Sequence, residues 1–249
     1  MTAYALAVLI AVFFLTSVVG VITGSNSLIA VPVIFQLGIE PRVAVATNMF
    51  GLVFMAVGGT IPFVRQRKID YTKTWPLVAL TVVSSAIGAL IVGRLSETSI
   101  KLIVSIAMIA VAMFSLLRRN AGLEPAKPRP WTLPLTYVLV FGLGIYGGLF
   151  SGGYVTILTA VCIGVYGNTY SEAVASTKLI NVFSSAIATI VFMWQGLVDY
   201  KLGLILGLTM FVGAFVGAHY ATKLNDIWLR RVFLITVLLL AIKIIYDFL

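Results

Sequence analysis

The sequence predicts an all-α polytopic membrane protein made of two homologous halves. Each half should hold about four long transmembrane helices plus a short broken-helix segment. Three observations lead there. Hydrophobic residues make up 61% of the 249 and charged residues only 10%, with a mean hydropathy of +1.10, far from the half-apolar, quarter-charged average of soluble domains. Uncharged runs at residues 43–64, 74–93 and 179–198 reach the roughly 20 residues a helix needs to cross the hydrocarbon core. They are apolar on every side, whereas the strands of a membrane barrel alternate. Third, the chain repeats itself at a fixed spacing, a signal to be sought before any functional motif.

The elements follow in order. Residues 1–39 carry no charge, and as one straight helix they would extend about 58 Å, twice the hydrocarbon thickness. Nothing basic precedes the apolar run, so it does not read as a removable leader. The run must break, and Thr23, Gly24, Ser25, Asn26 and Ser27 supply the break through a permissive glycine and side chains that compete for backbone hydrogen bonds. The piece after it, residues 28–37, is too short for an ordinary span. A basic, proline-containing linker at 119–130 separates the first repeat (1–118) from the second (131–249). Residues 131–170 again form a long uncharged run, interrupted at Ser151, Gly152, Gly153 and Tyr154 and followed by a second short piece at 155–166.

The repeat carries the most weight. At an offset of 129 residues, Ile69-Asp70-Tyr71 meets Val198-Asp199-Tyr200, Gly88-Ala89 meets Gly217-Ala218, and Arg94-Leu95 meets Lys223-Leu224. Glu97 meets Asp226 and Lys101 meets Arg230, while Ala44 to Thr47 meets Ala173 to Ser176. Gly20 and Thr23-Gly24 meet Gly148 and Ser151-Gly152 one residue out of step. Hydrophobicity alone does not bring charged loop residues into register. The Lys and Arg distribution leans toward five passes per half, hence inverted repeats with an outside N-terminus. The basic loop at 65–68 and its nearly neutral counterpart at 194–197 lean the same way. The two breaks are expected to face each other near mid-membrane.

Paired breaks are where a transporter's ligand site is expected, because broken helices present amides and helix ends to a ligand. An ordinary interfacial turn is the plainer reading of each. The starts of the following spans are the second candidate: Thr47 and Asn48 in the first half, Ser176, Thr177 and Lys178 with Asn181 in the second. Lys178 is set well inside an otherwise uncharged span, where an ammonium is costly unless paired or hydrated. It either snorkels to the interface or awaits an anion, since no carboxylate lies at comparable depth in the sequence. The net charge of +9 belongs to loops and does not call for nucleic acid. Cys162 reads as a packing thiol and His219 as an interfacial histidine. With no GxxxxGK[ST] loop, energy must come from a gradient or a partner. Neither metal nor cofactor is expected.

The series from Gly20-Val21-Ile22-Thr23-Gly24 through Val31-Pro32, Gly38 and Ala44 to Asn48, with its second copy at Gly147 to Gly153 and Ala173 to Thr177, resembles the TauE/SafE family, the sulfite exporter or toluene-sulfonate uptake permease family. The resemblance spans nearly the whole chain. It implies movement of sulfite, a sulfonate or a related small anion across the bacterial inner membrane by a non-enzyme. The expected partners are that anion and the bilayer, with a second copy of the chain left open. Two departures stand out: the glycine run is thinned at 23–26, and Lys178 stands where the first copy has Met49. A passive anion channel is an alternative. So is a membrane-embedded serine hydrolase using Ser151 and His219, although the leading glycine of a rhomboid-type motif is absent.

Overall fold

The structure, a computed structural model, describes residues 3–24, 26–104, 106, 110 and 130–223. Their regular structure is helical: α1 (Ala3–Thr23), α2 (Asn26–Gln36), α3 (Pro41–Arg65), α4 (Tyr71–Val92), α5 (Thr132–Leu149), α6 (Tyr154–Gly164), α7 (Tyr170–Trp194) and α8 (Tyr200–Ala221). Six of these are long and apolar enough to cross a membrane, and α2 and α6 are the two short apolar ones. The chain is therefore a polytopic membrane protein. Another helical stretch begins at residues 97–104. The fourth long helix expected in each half falls mostly on residues outside those described, as does most of the linker.

Local chemistry sets the helix starts. Asp70 and Asp199 cap α4 and α8 alike, each carboxylate accepting from a backbone N–H three residues on, at Lys73 and Leu202. Such caps satisfy amides that the first helical turn leaves unpaired. At α7, Thr169 and Glu172 form a reciprocal capping box, and Pro41 opens α3, where its missing N–H costs nothing.

Packing couples the beginning of the chain to its end. Gly51 of α3 faces Gly207 and Met210 of α8, and Gly58 faces Phe211, so α3 and α8 run side by side in the same direction. Hydrogen bonds from Thr74 to Ser176 and between Ser85 and Ser184 show the same for α4 and α7. α1 lies along α8 as α5 lies along α4, again parallel. A Cβ at Gly217 would overlap the Val18 carbonyl oxygen, and one at Gly88 would overlap the Ile145 carbonyl oxygen. Small residues at these crossings let the backbones touch, the packing mode favoured where lipid removes the hydrophobic drive.

Loop contacts fix the ends. Lys68, between α3 and α4, donates to the Thr222 carbonyl oxygen just past α8 (3.1 Å). At the opposite end Gln195, after α7, donates to Ala89 near the end of α4 (3.3 Å) and packs against Gly93. Among the described residues, the first end carries Arg65, Arg67, Lys68, Lys73 and Lys223, and the other Arg42, Arg94, Lys101 and Lys201.

Replacing Gly88 or Gly217 with valine should each destabilise the protein by about 1–3 kcal/mol or more, measured as a loss of thermal stability in detergent. Gly142→Ala, where a Cβ meets nothing within 4 Å, should leave the melting temperature unchanged.

Candidate functional site

Two helical hairpins build the site. α1 runs into the bundle and stops at Thr23; Gly24, with φ +72°, turns the chain, and α2 doubles back. The left-handed φ favours glycine, and a Cβ there would also strike Val155 and the Thr156 amide. Asn26 fastens the hairpin: its Nδ2 donates to Thr16 Oγ1 (3.1 Å) and Ser17 Oγ (3.0 Å). Because the Thr16 hydroxyl is donated to the Val12 carbonyl oxygen (2.7 Å), it can only accept from Asn26. The amide orientation follows, leaving Asn26 Oδ1 buried without a partner among the described residues. In the second hairpin Gly153, φ +75°, begins α6, and the Tyr146 phenol donates to the Gly152 carbonyl oxygen.

The hairpins meet through their breaks. Ser27 Oγ and Ser151 Oγ are hydrogen-bonded at 2.7 Å, and Asn48 Nδ2 donates to Ser27 Oγ at 2.9 Å. Irregular backbone at membrane depth is tolerated when protein covers it, and here each break covers the other. A cavity of about 20 Å³ lies beside this contact, room for about one water. Of the residues singled out from sequence, Gly24, Asn26, Ser27, Ser151, Lys178 and Asn181 line it. Gly20, Leu52, Met55 and Val155 complete the wall.

Lys178 is 3% exposed, and among the described residues no carboxylate comes within ion-pair distance of it; the ion pairs found are Arg42 with Glu40 and Lys73 with Asp70. Lys178 stands in the third turn of α7 and shares the cavity wall with Leu52 and Met55 from the middle of α3. The first turns of α2 and α6, at Asn26, Ser27 and Val155, also reach the cavity. Helix N-termini carry partial positive charge and unpaired amides. One ammonium and two helix N-termini thus converge on a site without an acidic side chain in its wall, an arrangement suited to an anion.

The remaining predicted residues lie outside the wall. Thr47 Oγ1 accepts from the Asp199 amide (3.0 Å) and Ser176 from Thr74 (3.0 Å), tying α3 and α7 to the starts of α8 and α4. Thr177 pairs with Thr159 (3.3 Å). Asn48 acts through Ser27, and Gly152, Gly153 and Tyr154 are buried behind the break. Ser25 and the Thr23 side chain are outside the described residues. Ser151 and His219 are not brought together: Ser151 bonds Ser27, while His219 is exposed near the end of α8, edge-on to Tyr220.

With this geometry established, comparison with known proteins adds the family. The model of the "Sulfite exporter TauE/SafE" family matches residues 9–244. The chain belongs to the TauE/SafE family. Curated relatives include a "Probable membrane transporter protein" of Haemophilus influenzae, 26% identical over 97% of this chain and 95% of that protein. "Probable membrane transporter protein ORF9" of Sinorhizobium sp is 27% identical over 97% and 93%, and "Probable membrane transporter protein YfcA" of Escherichia coli K12 is 25% identical over 97% and 90%. No solved structure matches the chain significantly. This TauE/SafE protein is accordingly a multi-pass membrane transporter.

Ser27 and Ser151 provide a direct test of how the breaks hold together. A double-mutant cycle with Ser27→Ala and Ser151→Ala, followed by unfolding in detergent, should return a coupling energy of about 1 kcal/mol.

Proposed function

We propose that the protein is a carrier of a small sulfur oxyanion or organosulfonate in the bacterial inner membrane, binding it in the cavity where the two helix breaks meet. The observation that carries this reading is Lys178, buried against two helix N-termini without a carboxylate. An anion completes that electrostatic arrangement, and hydroxyls and amides offer its oxygens donors. The family description supports the sulfur chemistry. The cavity has room for about one water, so in this reading the breaks part to admit the anion, as in a carrier.

The two halves are inverted repeats in this reading. Asp70 and Asp199 do the same capping, Gly88 and Gly217 the same close packing, and Thr47 and Ser176 the same tethering, each pair 129 residues apart. The glycine and Thr47/Ser176 contacts cross between halves, and α3 and α7 run in opposite directions. The more basic end, bearing residues 65–68, faces the cytoplasm by the positive-inside rule.

Two measurements test this. Lys178→Met should keep the fold and lower anion affinity by tenfold or more, about 1.4 kcal/mol, read as the binding constant for a panel of sulfite and sulfonates; unchanged affinity in a folded variant would mean the lysine takes no part. In a Cys162→Ser background, cysteines placed at Gln66 and Gln195 should react with an impermeant thiol reagent from opposite sides of the membrane.

A further inference from the structure

Lys178 lies in a wall whose other members bear no charge. α1 contributes Gly20 and Gly24, α2 contributes Asn26 and Ser27, and α3 contributes Leu52 and Met55. The second break adds Ser151 and α6 adds Val155. None of these ionises in water. Among the described residues, the titratable groups on the elements packed around it are Tyr4 of α1, Arg42 and Arg65 at the ends of α3, Tyr71 and Lys73 at the start of α4, Tyr137 and Tyr146 of α5, Tyr154 and Cys162 of α6, and Tyr170 and Glu172 at the start of α7, where Glu172 is engaged in its capping box; none of them lines the cavity. An ammonium in such a place lacks a counter-ion while the cavity is empty and gains one when an anion enters. Removing a charge's only partner at this depth is expensive, whereas a neutral amine there needs only hydrogen bonds.

A polar track leads away from the lysine on the same face of α7. Asn181 lines the cavity, Ser185 follows one turn on and donates to the Asn181 carbonyl oxygen, and Thr189 follows Ser185. Beside them Ser184 bonds Ser85 of α4 at 2.7 Å. Thr81, Thr189 and the Tyr154 phenol are buried here; Thr81 and Ser184 lie within reach of the phenol, while the Thr189 hydroxyl closes no hydrogen bond among the described residues, and a buried polar atom of that kind ordinarily holds water. The corresponding seam between α3 and α8 packs glycines against Phe50, Phe54 and Met210 and offers no such track. Only one of the two seams suits water, and it is the one that carries the lysine.

Building on the anion reading, we propose that the protein is a proton-coupled anion carrier in which Lys178 is the proton site and the hydroxyl-lined α4–α7 seam is its route to water. The step is a protonation without covalent change in the substrate: the neutral amine, one proton and the anion combine to give the ammonium–anion pair, and release reverses it. A monoanion then crosses with no net charge, driven by the proton gradient. A dianion would carry one negative charge and respond to membrane potential as well.

The test is isothermal titration calorimetry of the full chain in detergent, with methanesulfonate, sulfoacetate and sulfate. These stay ionised across a pH series from about 6 to 10 that reaches the ordinary lysine range, so any proton taken up belongs to the protein. Titrations in pairs of buffers with different ionisation enthalpies count those protons. Uptake should rise toward about one proton per anion at the alkaline end and vanish at the acid end, with affinity falling as pH rises. Lys178→Arg, which keeps its charge throughout, should bind anion without proton uptake, and Lys178→Met should show no uptake at all. Wild-type binding without proton uptake anywhere in the series overturns the coupling and leaves the anion site standing. Uptake that survives in Lys178→Arg also overturns it, by placing the proton elsewhere. Failure of all three anions to bind overturns the anion site and the coupling together.

Discussion

A helix that stops inside a membrane exposes amides and carbonyls that lipid cannot satisfy, and most of this architecture answers that problem twice. The broken ends of α1 and α5 are placed against each other rather than against hydrocarbon. Ser27 and Ser151 close the gap, Asn48 buttresses Ser27, and Tyr146 takes the carbonyl oxygen of Gly152. The long helices supply the walls that keep lipid out, and their glycine crossings draw those walls close enough to do so. The same requirement generates the ligand site, because a break sheltered from lipid is a small polar chamber with helix N-termini around it.

In the anion reading proposed above, the lysine makes that chamber selective. Neutral donors and helix dipoles can hold many small polar ligands, but a buried ammonium strongly penalises cations and favours a partner of opposite sign. Around it the wall is made of small side chains and two aliphatic residues, Leu52 and Met55. On that proposal electrostatics chooses the sign of the ligand, while the breaks set its size.

Much of this was legible in the sequence. The breaks at 23–27 and 151–154 announced themselves by polar residues inside runs too long for one span, and Lys178 by charge in an uncharged helix. The wrong face was harder to avoid. Ser176 and Thr177 look like lining residues because they precede Lys178, and Thr47 because it is the counterpart of Ser176, yet they hydrogen-bond to neighbouring helices. Helices apolar on every side carry little phase information, so sequence does not tell which side meets the other half. Gly20, Leu52 and Met55 were missed for the same reason. Spacing from Gly20 to Gly24 and from Lys178 to Asn181 traces one helical face each, a signal that becomes readable once one member of the face is known.

The parallel packing of α1 on α8 bears on how the protein comes into being. The Val18 carbonyl that Gly217 receives is made early, and the glycine that fits it follows about two hundred residues later, a delay of about 10–40 s at ordinary rates of synthesis. During that interval α1 lacks its long-range seat. Its polar groups need not wait, since Asn26 already holds Thr16 and Ser17 within the first hairpin. The nascent hairpin thus carries its own hydrogen-bond partners into the membrane, and only the close backbone contact is deferred until the last part of the chain arrives.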